Sequence, residues 1–249
     1  MTAHAGIADP LDSVKRRLAL AGSDARTSFT CMGREFAVHP GVFPPTHFQS
    51  TGIFTRHLPY PRDGAFLEIG CGAGVTAVTA ALAGCAHVVA SDISQAAVRN
   101  TLANAILHGV EAIVSSRYGD LFDVLHDGER FDVIFWNSNF IFVPEQTALE
   151  QDILHAFCDP GYAAHRRFLH EAHHHLKPDG KLLLGFSDQG DDAVLAALLD
   201  ECSYGFSVLD SHQGDGPAAP SYAILQLTPL PPSSPRHPQS GQRAGQENA

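Results

Sequence analysis

No apolar run in the 249 residues approaches the roughly 20 needed to cross a bilayer, so no membrane partner is expected. Residues 1–10 lack a basic stretch followed by an apolar core, the mark of a secretory leader, and a cytoplasmic location is expected. Cysteine is sparse: Cys31, Cys71, Cys85, Cys158 and Cys202 are scattered, odd in number and form no CxxC pair. They read as reduced thiols, not as a disulfide framework or a thiolate metal site. Basic residues are outnumbered, with 16 Lys and Arg against 27 Asp and Glu for a formal charge of −11. Sequence-independent nucleic-acid binding rests on cations that neutralise phosphates. The balance therefore points to a small-molecule partner and no nucleic acid; it leaves the oligomeric state open. Internal repeats are absent as well.

What is present is a loop that bulkier residues could not line. After apolar Ala65-Phe66-Leu67 comes Glu68-Ile69-Gly70-Cys71-Gly72-Ala73-Gly74, and residues 73–83 are small and apolar enough for a buried helix. An acidic residue leaving a strand, three alternating glycines and then a helix make a tight bend. There the backbone takes φ > 0 and approaches a ligand closely. A second apolar strand, His87-Val88-Val89-Ala90, ends in Ser91-Asp92, a carboxylate where a ribose diol would sit. The nicotinamide-dinucleotide fingerprint sets its third glycine three positions after the second. Here Gly74 follows Gly72 by two.

From residue 65 strands alternate with helices, which argues for a parallel sheet with crossover helices. Helix 94–108 is capped by Ser94 and stopped by Gly109, with Ala97, Val98, Thr101, Leu102, Ala105 and Ile106 as its buried stripe. Further strands are expected at 111–116, 131–136 and 181–187, helices at 162–176 and 191–202, a turn at 177–180, and a closing antiparallel pair at 206–212 and 221–227. Upstream lie a short amphipathic helix at 9–21, a hairpin at 29–38 and another short helix after Thr51, too small for a core of their own. The expected fold is α/β: a doubly wound, seven-stranded, mostly parallel, Rossmann-like sheet with a small N-terminal cover. Residues 1–60 form that cover, 61–230 the main domain, and 231–249 a tail without apolar periodicity, expected to be disordered.

Glu68-x-Gly70-x-Gly72-x-Gly74, with Asp92 and with Asp120 in Gly119-Asp120-Leu121-Phe122, resembles the class I S-adenosylmethionine-dependent methyltransferases. The likeness is strongest to the small-domain group, which includes ribosomal RNA guanine-N2 and release-factor glutamine methyltransferases. It is carried by Pro40-Gly41-Val42-Phe43, by Ser50-Thr51-Gly52, and by Phe131-Asp132-Val133-Ile134 running into Asn137-Ser138-Asn139-Phe140, and it spans residues 41–227. The resemblance implies S-adenosylmethionine as cofactor. Glu68, Gly70, Gly72 and Gly74 would cradle it, with Asp92 and Ile93 at the ribose, Asp120 and Leu121 at the adenine, Thr51 at the methionine end and Asn137 beside the methyl group.

In the same family Asn137 would stand beside the reactive methyl and Phe140 would stack on a planar substrate amine, which makes these two the catalytic candidates. The family pattern here is Asn-Pro-Pro-Phe/Tyr, and Ser138 and Asn139 replace both prolines. That removes rigidity and weakens the case for polynucleotide or release-factor substrates. The expected reaction is N-methylation of a small amine-, amide- or guanidine-bearing metabolite such as an amino acid. O-methylation of a small hydroxyl or carboxylate is the alternative, and a cofactor-binding protein without catalysis the second.

Glu145, Glu150, Asp152 and Asp159, all within 137–161, are candidates to hold a cationic substrate. The competing reading is a solvated face beside the apolar stripe Leu149, Ile153 and Phe157. The histidine run His170, His173, His174 and His175 invites a metal. Leu169, Ala172 and Leu176 carry the buried stripe there, however, which turns His170 and His174 outward, so no metal is expected. Cys71 reads as a packing residue with no adjacent base.

Overall fold

The computed structural model describes residues 10–22, 27–216 and 219–231; the expected tail at 231–249 lies outside it save for its first residue. In chain order the elements are α1 (Pro10–Gly22), β1 (Ser28–Cys31), β2 (Arg34–Ala37), α2 (Ser50–His57), β3 (Ala65–Ile69), α3 (Val75–Leu82), β4 (His87–Asp92), α4 (Gln95–Leu107), β5 (Val114–Tyr118) and β6 (Phe131–Asn137). They continue with β7 (Ile141–Val143), β8 (Cys158–Pro160), α5 (Ala163–Glu171), β9 (Leu176–Ser187), α6 (Asp192–Glu201), β10 (Tyr204–Gln213) and β11 (Ser221–Pro229). Short 3-10 turns occupy Asp152–Ala156 and Ala172–His175.

Seven strands form one sheet in the order β10-β11-β9-β6-β3-β4-β5. The pairs β3–β4, β4–β5, β3–β6 and β6–β9 are parallel, while β11 runs antiparallel to both β9 and β10. Both faces are covered, so the central strands read as continuous apolar runs. Alternate residues then serve opposite layers. Phe66, Val133 and Phe135 pack with Phe54 of α2, Val78 of α3 and Ala105 of α4. Leu67, Ile69, Ile134 and Trp136 pack with Phe168 and Leu169 of α5 and Leu195 and Leu199 of α6. The sheet order switches direction at β3 and β6, and their C-terminal ends border the crevice where open α/β sheets bind ligands.

The structure corrects several expected boundaries. Strand β5 starts at Val114, because residues 111–113 complete the turn after α4. The helix expected at 162–176 tightens to a 3-10 turn at Ala172, and residues 177–180 form an irregularity inside β9, not a free turn. Most instructive is α4. Its buried face carries Asn100 and Asn104 beside Ala97, Thr101 and Ala105, while Leu102 is 45% and Ile106 57% exposed.

The reason is the hairpin β1–β2, turned by Met32 and Gly33 at positive φ in the manner of a two-residue type I′ loop. Its outgoing backbone needs partners. Asn104 Oδ1 accepts from the Ala37 N–H at 2.7 Å, Asn100 Oδ1 from the His39 N–H at 2.7 Å, and both side-chain amides donate to the Ala37 carbonyl. Asn104 also donates to the Ala73 carbonyl at 2.8 Å, so one side chain joins the cover to the glycine loop. Satisfying buried backbone groups outweighs burying two aliphatic side chains that pay little when left at the surface.

A third, smaller core lies over the sheet's C-terminal edge. Val14 of α1, Phe48, Ile141, Val143, Leu154, Phe157 and Cys158 pack together there, with Phe43 and Phe140 at its border. The long segment after β6 is thus ordered by β7, β8 and a 3-10 turn. All five cysteines are free. No helix among the described residues is long and apolar enough to cross a membrane.

Candidate active site

A single cavity runs from the glycine loop, across the ends of β3, β4 and β6, to the third core. Its first half is built by backbone. Gly70, Gly72 and Gly74 take φ of +67°, +53° and +76°, the left-handed region that side chains resist. Gly70 and Gly72 line the cavity; a Cβ on Gly72 would point toward Phe43 at 4.0 Å, into the open space. Gly74 does not line it, a correction to the expected cradle. A Cβ there would meet the Thr101 backbone and side chain at 2.8 Å, so this glycine lets α3 and α4 pack closely.

Asp92 closes the loop. Its Oδ2 accepts from the Gly72 N–H at 2.9 Å and its Oδ1 from the Ser94 N–H at 2.8 Å. Burial raises its pKa against these two bonds, which lower it. A carboxylate has about four acceptor positions, so two remain for a ligand diol. Glu68 is fully buried on the cavity wall, and burial pushes its pKa up to about 8 despite bonds from Thr76 and the Ala77 N–H. Its Oε2 has no hydrogen-bond partner. A buried, unpaired carboxyl oxygen is costly, and a cationic ligand group supplies what it lacks.

Thr51, Ile93, Asp120 and Leu121 also line this half. Leu121 sits at φ +45°, an uncommon conformation for a branched side chain, which holds the Asp120–Leu121 backbone against the cavity. Asp120 itself is engaged in an ion pair with Arg167, and Arg167 also reaches Glu171 at 3.3 Å.

The second half begins at Asn137, where β6 leaves the sheet, and includes Ser138, Asn139 and Phe140. The expected loss of rigidity is corrected here. Ser138 Oγ donates to the Gly185 carbonyl at 2.8 Å, and Asn139 Nδ2 bridges the carbonyls of Cys158 at 3.0 Å and His155 at 3.2 Å. Side-chain bonds hold the turn that proline rings would otherwise stiffen. Phe140 is half-buried, meets Phe186 edge-on, and its carbonyl accepts from the Tyr162 hydroxyl at 2.6 Å.

Of the four acidic candidates only Asp152 reaches the cavity, at an exposed rim. Glu145 and Glu150 are exposed and stand outside it. Asp159 is buried and committed elsewhere, accepting from the N–H groups of Ala164 and His165 and facing His165 Nδ1 at 2.7 Å. It caps α5, a role the residue type alone could not distinguish from substrate contact.

Sequence reasoning missed the rest of this wall. Phe43, Phe48 and Phe157 form an aromatic triangle with centroids 4.6–5.1 Å apart, and Val14, Ile153 and His155 complete it. Phe43 ends Pro40-Gly41-Val42-Phe43, but nothing in its spacing ties it to Phe157. The histidine run stays outside: His170, His173 and His174 are exposed.

The chain matches the model of the methyltransferase small domain over residues 33–204. It belongs to that family. This methyltransferase domain is similar to a release factor glutamine methyltransferase of Cereibacter sphaeroides, at 32% identity over 61% of the chain and 56% of the relative. It is also similar to a ribosomal protein L11 methyltransferase of Porphyromonas gingivalis, at 40% identity over 42% of the chain and 37% of the relative. The chain thus spans about half or less of the length of these relatives.

Among solved structures it is similar in fold to a Thermus thermophilus 16S rRNA N2 G1207 methyltransferase bound to its cofactor and guanosine. That likeness has a TM-score of 0.52 and 20% identity over 82% of the chain and 50% of the other. The unpaired Glu68 oxygen, the glycine bend and Asp92 fit S-adenosylmethionine, the group bound in that neighbour.

The expected partners are corrected by the same comparisons. A small-molecule substrate with nucleic acid excluded was read from net charge, yet the relatives carry the names of macromolecular acceptors, and structural neighbours those of rRNA and tRNA methyltransferases. Net charge averages over the whole surface and says nothing of one face.

Proposed function

We propose that this methyltransferase domain transfers the methyl group of S-adenosylmethionine to a nitrogen of a protein side chain. The observation that carries the reading is the shared cavity. Asn137 and Ser138 line the same cavity as Glu68, Gly72 and Asp92. The two relatives named above support a protein acceptor, since a release factor and a ribosomal protein are what their names give them.

In this reading Glu68 takes the ammonium of the cofactor's methionine end, Thr51 lies beside that end, Asp92 takes the ribose hydroxyls, and the Asp120–Leu121 backbone meets the adenine. The cofactor supplies an electrophilic methyl on a sulfonium. The chain's own task is to align the attacking nitrogen, exclude water and keep the nitrogen lone pair available. The Asn137 side chain and the Ser138 carbonyl accept the N–H groups of the acceptor, and Phe140 packs on its planar face. Phe43, Phe48 and Phe157 keep that half dry, which strengthens every hydrogen bond made in it.

The test is transfer of labelled methyl from the cofactor into an extract of the source cells. Label that protease releases, nuclease leaves in place and mild alkali does not remove supports a protein nitrogen. Label released by nuclease assigns an RNA acceptor, and alkali-labile label a carboxyl ester; either overturns the proposal.

A further inference from the structure

A second constellation lies away from the methyl-transfer cavity, where the N-terminal cover meets the sheet's outer hairpin. His57 ends α2, and Asp210 and His212 stand two residues apart on β10. The register of β10 against β11 slips by one residue between Val208 and Asp210, and beyond the slip Asp210 and His212 share one face of the strand. One ligand atom from each of the three lies within 4.8 Å of the others, and all three residues are half-buried.

Three details suit these groups to a cation. His57 Nδ1 contacts the Ile53 carbonyl at 2.8 Å, which fixes the ring and leaves Nε2 with the lone pair. That is the arrangement metal-ligating histidines use. His212 Nε2 is buried and faces Asp210 Oδ1 at 3.0 Å, an ion-pair contact that a bound cation would replace. The two imidazole rings stack with centroids 3.7 Å apart and planes 16° from parallel. The stack sets the two imidazoles side by side, and turning the His212 ring brings both nitrogens onto one ion.

We propose that His57, Asp210 and His212 form a binding site for a borderline divalent cation of the zinc class, joining α2 to β10. Two imidazole nitrogens and one carboxylate oxygen are donors that zinc accepts, with a water completing four positions. Tetrahedral zinc sets its donors roughly 3.3 Å apart, so His212 and Asp210 rotate inward while the Ile53 contact holds the His57 ring. The recess beside the triad is lined by Cys31, Gln49, Arg56 and Gln213 and gives an ion a way in. Helix α2 also carries Thr51, so the ion would brace the element that borders the methyl-transfer cavity.

The experiment uses the full chain, stripped with chelator and titrated with zinc by calorimetry and with cobalt by visible absorption. One equivalent of zinc, with the visible bands of tetrahedral cobalt, is expected. His57→Ala and His212→Ala should each weaken binding at least tenfold, while the double change His173→Ala/His174→Ala leaves it unchanged. Asp210→Asn, on an edge strand, keeps the fold intact and should also lower affinity and remove the zinc-dependent rise in melting temperature. No stoichiometric uptake by the wild-type chain, or uptake abolished by the His173/His174 change and not by Asp210→Asn, would overturn the site.

Discussion

The two halves of the cavity are built on opposite plans. The cofactor half centres on a short stretch of chain, residues 68–74, closed by one carboxylate from the neighbouring strand; the geometry of that bend is written in backbone angles and N–H groups. The acceptor half is assembled from α1, the segment around Phe43 and Phe48, and the excursion 137–161, which meet only in three dimensions. The first tolerates almost no change of residue type at a few positions. The second is defined by side-chain packing, which many combinations can satisfy. A fold that holds its cofactor by backbone can therefore vary its acceptor without disturbing the part that activates the methyl group.

The sharpest way to break this contrast is Gly74→Val. The position has a left-handed φ of +76° and the Thr101 backbone stands 2.8 Å from where a Cβ would fall. Strain and overpacking together should cost roughly 3–5 kcal/mol. Chemical denaturation should show the loss, with cofactor affinity failing only because the fold does. A well-folded Gly74→Val variant would show that the loop's geometry is less constrained than its backbone angles imply.

Glu68 gives the next effect, through pH. Its folded pKa of about 8 stands above the ordinary value of 4.5, because burial penalises the charged form. Between those values the folded chain holds a proton that the unfolded chain has released. The favourable contribution is thus complete below pH 4.5 and is lost as pH rises toward and through 8. Relative to wild type, Glu68→Gln should flatten that decline and gain a few kcal/mol above pH 8, as read by melting temperature across pH. The same variant should bind S-adenosylmethionine less well, having lost the carboxylate that meets its cation. Parallel pH profiles for the two proteins would remove Glu68 as the buried acid.

Asp92 and Asn137 separate the halves directly. Asp92→Ala removes a buried acceptor and should weaken cofactor binding by about 1.5–3 kcal/mol, one to two decades, in calorimetry. Asn137→Ala should leave cofactor affinity unchanged and lower kcat about tenfold or more, because it orients the acceptor. If Asn137→Ala weakened the cofactor as much as Asp92→Ala, the division of the cavity would be lost.

The same division explains what could be read from residues alone. The glycine bend, Asp92 and the strand–helix rhythm are local, and each has a mechanical reason visible within a few positions. Right-handed crossovers then fix which face each helix covers, whereas the strand order itself was not read from the residues. Asn100 and Asn104 were not legible, because their value lies in the backbone of a hairpin more than sixty residues upstream. Nor was the commitment of Asp159 to the start of α5, since an acid before a helix and an acid facing a substrate look alike in sequence. The aromatic triangle depends on Phe43, Phe48 and Phe157 meeting across more than a hundred residues, and no periodicity records such a meeting.

The smallest effect tests the point where the halves join. Ser138 is buried, its hydroxyl donates to the Gly185 carbonyl at 2.8 Å, and its N–H lies 3.3 Å from the same oxygen. Together these tie the exit of β6 to β9 and set the direction in which the Ser138 carbonyl and Asn137 face the cavity. Ser138→Ala deletes the hydroxyl and keeps the weaker N–H bond, so the turn loosens without collapsing. Stability should fall by about 1 kcal/mol, the net worth of one such bond. Turnover should fall a few-fold while cofactor affinity holds, because only the acceptor's partners lose their alignment. Ser138→Thr keeps the hydroxyl and should recover most of the rate if the added methyl fits. A Ser138→Ala enzyme as fast as the wild type would mean that the turn is held by Asn139 alone, whose amide bridges the carbonyls of His155 and Cys158 from the other side.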